Sequence, residues 1–222
     1  MRHRLLAPAD YRRFPWKNGR GSTTEIAQHP PGADYETFAW RASIAEIAHS
    51  GPFSQFAGVA RSLVLIGGEG MRLDRAEGPL HLRAPFDMVE FDGDDAVVCS
   101  LAAGPVRAFN LMLRQGGVSG RVAVVRGGDQ TFPPASFTLC HAALGATNCL
   151  LPGGGRVVVD EGSALVVEAA DAPDARDAGD RAMPIRFRPA SPRSVAVVAT
   201  IASIASGSAP ASRLGSAAGQ SR

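Results

Sequence analysis

Residues 15–27 read Pro-Trp-Lys-Asn-Gly-Arg-Gly-Ser-Thr-Thr-Glu-Ile-Ala, a bend that feeds a β-strand. Gly19 and Gly21 permit backbone geometry that residues with side chains avoid, and the run from Ser22 to Ile26 has strand composition. Around the two glycines Trp16, Lys17, Asn18, Arg20 and Glu25 crowd an indole, charges and an amide. A plain turn needs none of them, so the bend presents side chains.

The same grammar continues outward in both directions of the chain. Short apolar runs bounded by glycine or proline occupy 23–27, 39–47, 61–66, 70–73, 80–82, 88–91 and 96–101. Others follow at 106–113, 121–126, 137–142, 149–151, 156–159, 164–168, 185–187 and 194–204. Many short strands with turns between them predict an all-β chain with few short helices, built as barrels or sandwiches that manage their strand edges by closure. Asp92-Gly93-Asp94-Asp95 precedes Ala96-Val97-Val98, and Asp160-Glu161-Gly162-Ser163 precedes Ala164-Leu165-Val166-Val167. The recurrence suggests internal duplication. The expected units are an N-terminal barrel over 1–117 and a C-terminal barrel over 118–204, with strands exchanged between them as an open alternative. The stretch 171–181 reads as a solvated loop and 205–222 as a disordered tail.

Composition bounds the partners. The 222 residues are 45% hydrophobic and 20% charged, with a formal net charge of +2, which points to neither nucleic acid nor a membrane surface. No apolar run approaches the roughly 18 residues of a membrane span. Cys99, Cys140 and Cys149 lie in apolar runs without Cys-x-x-Cys spacing, as expected of buried free thiols in a cytoplasmic protein. The N-terminus lacks the apolar stretch of a signal peptide. Arginine dominates the basic residues, with Arg41 and Arg61 among those spread along the chain, and its planar fork suits carboxylate or phosphate.

Three further stretches carry chemistry. In 38–47, Phe-Ala-Trp-Arg-Ala-Ser-Ile-Ala-Glu-Ile, period-two alternation sets Trp40, Ala42, Ile44 and Glu46 on one face. Arg41, Ser43, Ala45 and Ile47 take the other. In 51–61, Gly-Pro-Phe-Ser-Gln-Phe-Ala-Gly-Val-Ala-Arg, Phe53 and Phe56 either plug a barrel end or wall a pocket whose mouth Arg61 sets. In 104–112, Gly-Pro-Val-Arg-Ala-Phe-Asn-Leu-Met, Asn110 interrupts an apolar strand and must find partners.

Pro-Trp-Lys-Asn-Gly-x-Gly-x-Thr-x-Glu-Ile, Trp-Arg-x-Ser-x-Ala, Gly-Pro-Phe-Ser-x-Phe-x-Gly-x-x-Arg and Phe-Asn-Leu-Met, in this order, resemble the HutD/Ves family. The resemblance covers 15 to about 114 in motifs and continues to about 204 only in strand pattern. It implies a metal-free bicupin, two packed small jelly-roll-like β-barrels. It also implies an association with histidine utilisation or with stress responses, and in the former a role in which an acidic intermediate such as formylglutamate is bound. Ala108 stands where the family usually carries aspartate. The motifs nominate Trp16, Lys17, Asn18, Glu25, Trp40, Arg41, Ser43, Phe53, Arg61 and Asn110 as ligand-binding residues.

The resulting expectation is a small anionic metabolite held by Arg41 and Arg61. Asn18 and Asn110 would read amide or carbonyl groups, Trp16, Trp40 and Phe53 would form walls, and Lys17 and Glu25 would orient the ligand. His3, His29, His49, His81 and His141 never fall two apart, so no metal or other cofactor is expected. The alternative from another class is a metal-free isomerase or hydrolase with Glu25 or Glu46 as base. A third reading gives the aromatics to an oligomer surface, with a homodimer as its simplest form.

Overall fold

The computed structural model describes residues 1–16, 19–169 and 184–204. Lys17, Asn18, the stretch expected as a loop at 171–181 and the tail from 205 lie outside the described residues. Apart from a short 3-10 turn at Pro8–Asp10, the regular structure is all strand.

The first strands are β1 (Arg2–Leu6), β2 (Arg12–Pro15), β3 (Gly21–His29), β4 (Trp40–Ile47), β5 (Gly51–Pro52) and β6 (Val59–Gly67). Then come β7 (Met71–Asp74), β8 (Leu80–Leu82), β9 (Met88–Asp92), β10 (Val98–Leu101) and β11 (Val106–Arg114). The second half holds β12 (Val118–Arg126), β13 (Gln130–Phe132), β14 (Phe137–Leu144) and β15 (Thr147–Leu150). It ends with β16 (Arg156–Val159), β17 (Ala164–Glu168), β18 (Ile185–Pro189) and β19 (Val195–Ser203).

The sheet orders disclose a duplication. In the first half β4-β11-β6-β9 faces β5-β10-β7-β8, and in the second β12-β19-β14-β17 faces β13-β18-β15-β16. Adding eight to each strand number of the first half reproduces the second. The remaining strands are additions: the β2-β3 hairpin extends the first large sheet beside β4, while β1 crosses over to pair with β17 in the second. The chain is therefore a bicupin whose first strand is exchanged into the C-terminal unit.

Four layers result, with an apolar core in each gap. Between the sheets of the first barrel lie Ile47, Leu63, Leu65, Leu73, Leu82 and Cys99. The two large sheets meet back to back through Trp40, Ile44, Phe109, Leu111, Leu139 and Val197. The second barrel is filled by Cys140, Cys149, Leu165, Phe187 and Val198, each with no exposed surface. Alternation explains how β4 serves two cores: Trp40, Ala42 and Ile44 enter the inter-barrel layer, while Ile47 and Ala45 enter the first barrel. Burying two sides of one sheet leaves it no solvent face, hence its near-continuous apolar composition.

Candidate functional site

The first barrel interior is apolar except at one end. There the inward faces of β3, β4, β11 and β6 bring Glu25, Arg41, Ser43, Asn110 and Arg61 together. Register fixes the arrangement: Ser43 lies opposite Glu25 on one side and Asn110 on the other, and Arg41, Met112 and Arg61 form the next row. A bulge in β3 between Glu25 and Ala27 makes this possible. Ile26 and Ala27 both turn toward the inter-barrel core, so Glu25 and Gln28 face inward opposite Ser43 and Arg41.

The two arginines differ in their partners. Arg41 Nε donates to Glu25 Oε2 at 2.8 Å, with both side chains nearly buried, at 5% and 12% exposure. The ring of Tyr35 lies 5.1 Å from the Arg41 guanidinium. Arg61 is 8% exposed and, among the described residues, has no carboxylate within ion-pair distance. Its Nε and Nη2 point at Asn110 Oδ1 at 3.4 and 3.5 Å, long for such bonds. Phe53, Phe56 and Phe91 surround it at 5.5, 5.6 and 4.8 Å from their ring centres, partly replacing lost hydration with cation–π attraction. Burial first, and Arg41 second, push the Arg61 guanidinium down to about 10. A cation held this way is short of negative charge. Ser43 adds a second deficit, because its hydroxyl is buried with no hydrogen-bond partner among the described residues.

Two loops close this end of the barrel. Tyr35 comes from the β3–β4 connection and Phe53 and Phe56 from the β5–β6 connection, and Tyr35 and Phe56 touch, 5.5 Å between ring centres. Beneath them Phe38, Val59 and Met112 form a small apolar plug. Arg114, at the end of β11, donates to the carbonyls of Tyr35, Glu36 and Ala57 and so ties both loops to one strand.

Not every nominated residue belongs to this cluster. Trp40 is 1% exposed and packs between the large sheets against Phe137, with its indole N–H unpartnered among the described residues. It cannot wall a pocket with Arg41, because neighbouring residues on a strand face opposite ways. Trp16 donates through Nε1 to Thr23 Oγ1 at 2.8 Å and packs on the first barrel's core. Its neighbour Gly21 pairs with Ile47, whereas Arg41 pairs with Gln28, so the β2–β3 bend lies roughly 20 Å along β4 from Arg41. Lys17 and Asn18 fall outside the described residues. Glu46, the alternative base, lies at that far end too, accepting from Ser22 Oγ at 3.0 Å and pairing with Arg13. Two open depressions of about 380 and 460 Å³ flank Glu46; neither borders Arg41 or Arg61. Ala108 packs fully buried in the barrel core.

Tyr35, Phe91 and Arg114 belong to the site and were not singled out from the sequence. Arg114 follows the Phe-Asn-Leu-Met run at inward spacing from Asn110 and Met112, a signal that was available. Tyr35 carries none, since it sits in an irregular loop.

Comparison with known proteins identifies the fold and the family. A cupin 2 conserved barrel domain protein from Leptotrichia buccalis is 8% identical, with 86% of this chain and 96% of that one covered at a TM-score of 0.50; the likeness is one of fold. HutD from Pseudomonas fluorescens SBW25, in a formate condition, is 30% identical, with 91% of this chain and 100% of that one covered at a TM-score of 0.74. A conserved protein of unknown function from Pseudomonas aeruginosa PAO1 reaches 0.78 at 30% identity, covering 91% and 100%. In sequence, an uncharacterized 21.2 kDa protein in the hutC 3' region of Pseudomonas putida is 40% identical over 139 residues, 63% of this chain and 73% of the relative. Protein Ves of Citrobacter koseri is 36% identical over 127 residues, 55% of this chain and 64% of its own length. The HutD family profile matches residues 8–183, which is most of the chain, and the chain accordingly belongs to the HutD family.

Proposed function

We propose that this chain is a non-catalytic binding protein that takes a small acidic metabolite of histidine breakdown into its first barrel, formylglutamate being the leading candidate, and so serves regulation of histidine utilisation. The observation that carries the reading is Arg61, a buried guanidinium without a carboxylate partner among the described residues. An anionic ligand would supply the missing charge, and the planar fork suits a carboxylate. The relative from the hutC 3' region supports the link to histidine utilisation. Glu25 is committed to Arg41 at 2.8 Å, which favours a positioning role for it over that of a base. The proposal sets the protein in the cytoplasm, with no nucleic-acid or membrane partner and a homodimer as its simplest assembly. Among the described residues no helix is long and apolar enough to cross a membrane.

Calorimetric titration with formylglutamate, glutamate, urocanate and histidine tests the reading. At least one acid should bind, and Arg61→Gln should weaken it by about a hundredfold or more, as loss of a buried charge-assisted contact does. Equal binding heats in wild type and Arg61→Gln would overturn the assignment.

A further inference from the structure

The buried polar end of the first barrel has a charge count. Arg41 and Glu25 neutralise one another within a single hydrogen-bonded pair. Among the described residues Arg61 has no carboxylate partner, and its hydrogen-bond acceptor is the distant amide oxygen of Asn110. Among the described residues the cluster therefore carries one uncompensated positive charge in a place with little water. One carboxylate balances it. A second, buried beside the first, would itself be uncompensated, and isolated buried ions cost several kcal/mol.

Geometry says where each part of a ligand goes. Phe53, Phe56 and Phe91 pack around the Arg61 guanidinium. Cation–π contact does not satisfy the guanidinium N–H groups, and the Nε–Nη2 edge is one that can take a carboxylate through two parallel hydrogen bonds. That edge turns toward Asn110, as its contacts with Oδ1 show. Asn110 is directly opposite Ser43 on the neighbouring strand, one strand spacing or about 5 Å away.

Ser43 is 1% exposed and its hydroxyl has no partner among the described residues. An orphaned buried hydroxyl costs about 1–3 kcal/mol, a cost that a ligand group could remove by donating to it or accepting from it. A carboxylate is the wrong group, because Glu25 lies directly across from Ser43 on the other side and like charges on facing positions repel. A neutral group meets no such penalty.

We infer that this site selects a monoanion: one carboxylate set against Arg61 and, a short chain away, a neutral hydrogen-bonding group such as a primary amide set against Ser43. The inference rests on the carboxylate-binding reading above and narrows it. A dicarboxylate, formylglutamate included, enters only with its second carboxylate left outside, at the mouth formed by Tyr35 and Phe56, so that the buried part it presents is one carboxylate and one neutral amide.

Three probes of equal heavy-atom count isolate the claim: succinamate with one carboxylate and one amide, succinate with two carboxylates, and 4-methylpentanoate with one carboxylate and an apolar end. Calorimetry on the full chain should give succinamate at least tenfold tighter than either of the others. Ser43→Ala should bring succinamate to within about threefold of 4-methylpentanoate. Glu25→Gln, which leaves the cluster one charge more positive, should raise succinate affinity at least tenfold and reverse the preference between succinate and succinamate. Thermal unfolding of each variant establishes that it is folded, and the wild-type comparison with the Ser43→Ala arm decides the matter if Glu25→Gln does not fold. Succinate binding as tightly as succinamate in wild type overturns monoanion selection and leaves carboxylate binding standing. Binding of none of the three acids, together with none of the histidine-pathway acids, overturns both.

Discussion

Tyr35 and Phe56 meet at 5.5 Å between ring centres, and each also covers a different arginine, Tyr35 over Arg41 and Phe56 over Arg61. They come from separate loops, so their contact is a seam in the cover over the buried cations. An aromatic pair of this kind contributes about 0.5–1.5 kcal/mol, small enough to open often and large enough to slow exchange. Phe56→Ala should therefore raise both association and dissociation rates of a bound acid by about tenfold, leaving Arg61 in place. Stopped-flow measurement with the tightest acid from the calorimetric panel reads both constants, and rates equal to wild type would show that ligands enter elsewhere.

Arg114 holds both sides of that seam. Its guanidinium donates to the carbonyls of Ala57, Tyr35 and Glu36 at 3.0, 2.8 and 3.0 Å, with Phe38 5.0 Å beneath it. Lysine at this position keeps the charge but cannot reach three carbonyls in two directions, since its ammonium is a point charge on a flexible stem. Arg114→Lys should cost about 1–3 kcal/mol of stability and accelerate hydrogen exchange specifically over 33–38 and 53–58. Uniform exchange across the first barrel would indicate general loosening instead of a lost tie.

His141 gives the fold an acid-sensitive point between the barrels. It is 1% exposed, its Nδ1–H donates to the Ser163 carbonyl at 3.1 Å, and its ring lies parallel to Phe109 at 6.1 Å. Burial pushes it down from 6.5 to about 4, against the Ser163 hydrogen bond, with Arg107 adding to the fall. The folded state therefore keeps the ring neutral where the unfolded chain protonates. That stability is present in full above pH 6.5 and is lost as pH falls from about 6.5 to 4, up to about 3 kcal/mol. Denaturant unfolding at stepped pH should show this slope in wild type. His141→Gln, which does not titrate, should flatten it, and an unchanged slope would assign it to other groups.

Much of this architecture was legible because period-two alternation is local. The run at 39–47 declares its two faces, and the structure puts Trp40, Ala42 and Ile44 in one core and Ile47 in another. The duplication was visible as a repeated acidic-glycine turn, yet its regularity appears only in strand order, because equivalent strands share topology without sharing residues. The strands that escaped, such as β1 and β13, are short, exposed or rich in arginine and owe their conformation to a distant partner. The site was half legible. Arg41, Ser43, Arg61 and Asn110 announce themselves as polar residues inside apolar strands. The bulge at Ile26 that turns Glu25 and Gln28 inward left no mark in the sequence. Nor could the motif say that Trp16 belongs to the opposite end of β4, because adjacency along the chain carries no information about which end of a barrel a hairpin tip reaches.

The two glycines of the β2–β3 bend are required for different reasons, and substitution separates them. Gly19 has φ +67° with nothing among the described residues, its chain neighbours aside, within 4 Å of a Cβ placed on it, so its demand is for the left-handed backbone. Gly19→Asn should be nearly neutral and Gly19→Ala should cost about 1 kcal/mol. Gly21 has no such φ, but a Cβ there would lie 2.2 Å from the Glu46 carbonyl oxygen and 3.1 Å from the Trp16 ring. The carbonyl is backbone in a paired sheet and cannot retreat without breaking the β3–β4 ladder, so Gly21→Ala should cost about 3 kcal/mol or more. Thermal unfolding of the three variants distinguishes the two demands, and a Gly21→Ala protein as stable as Gly19→Ala would mean that the close approach of the hairpin to β4 is not required.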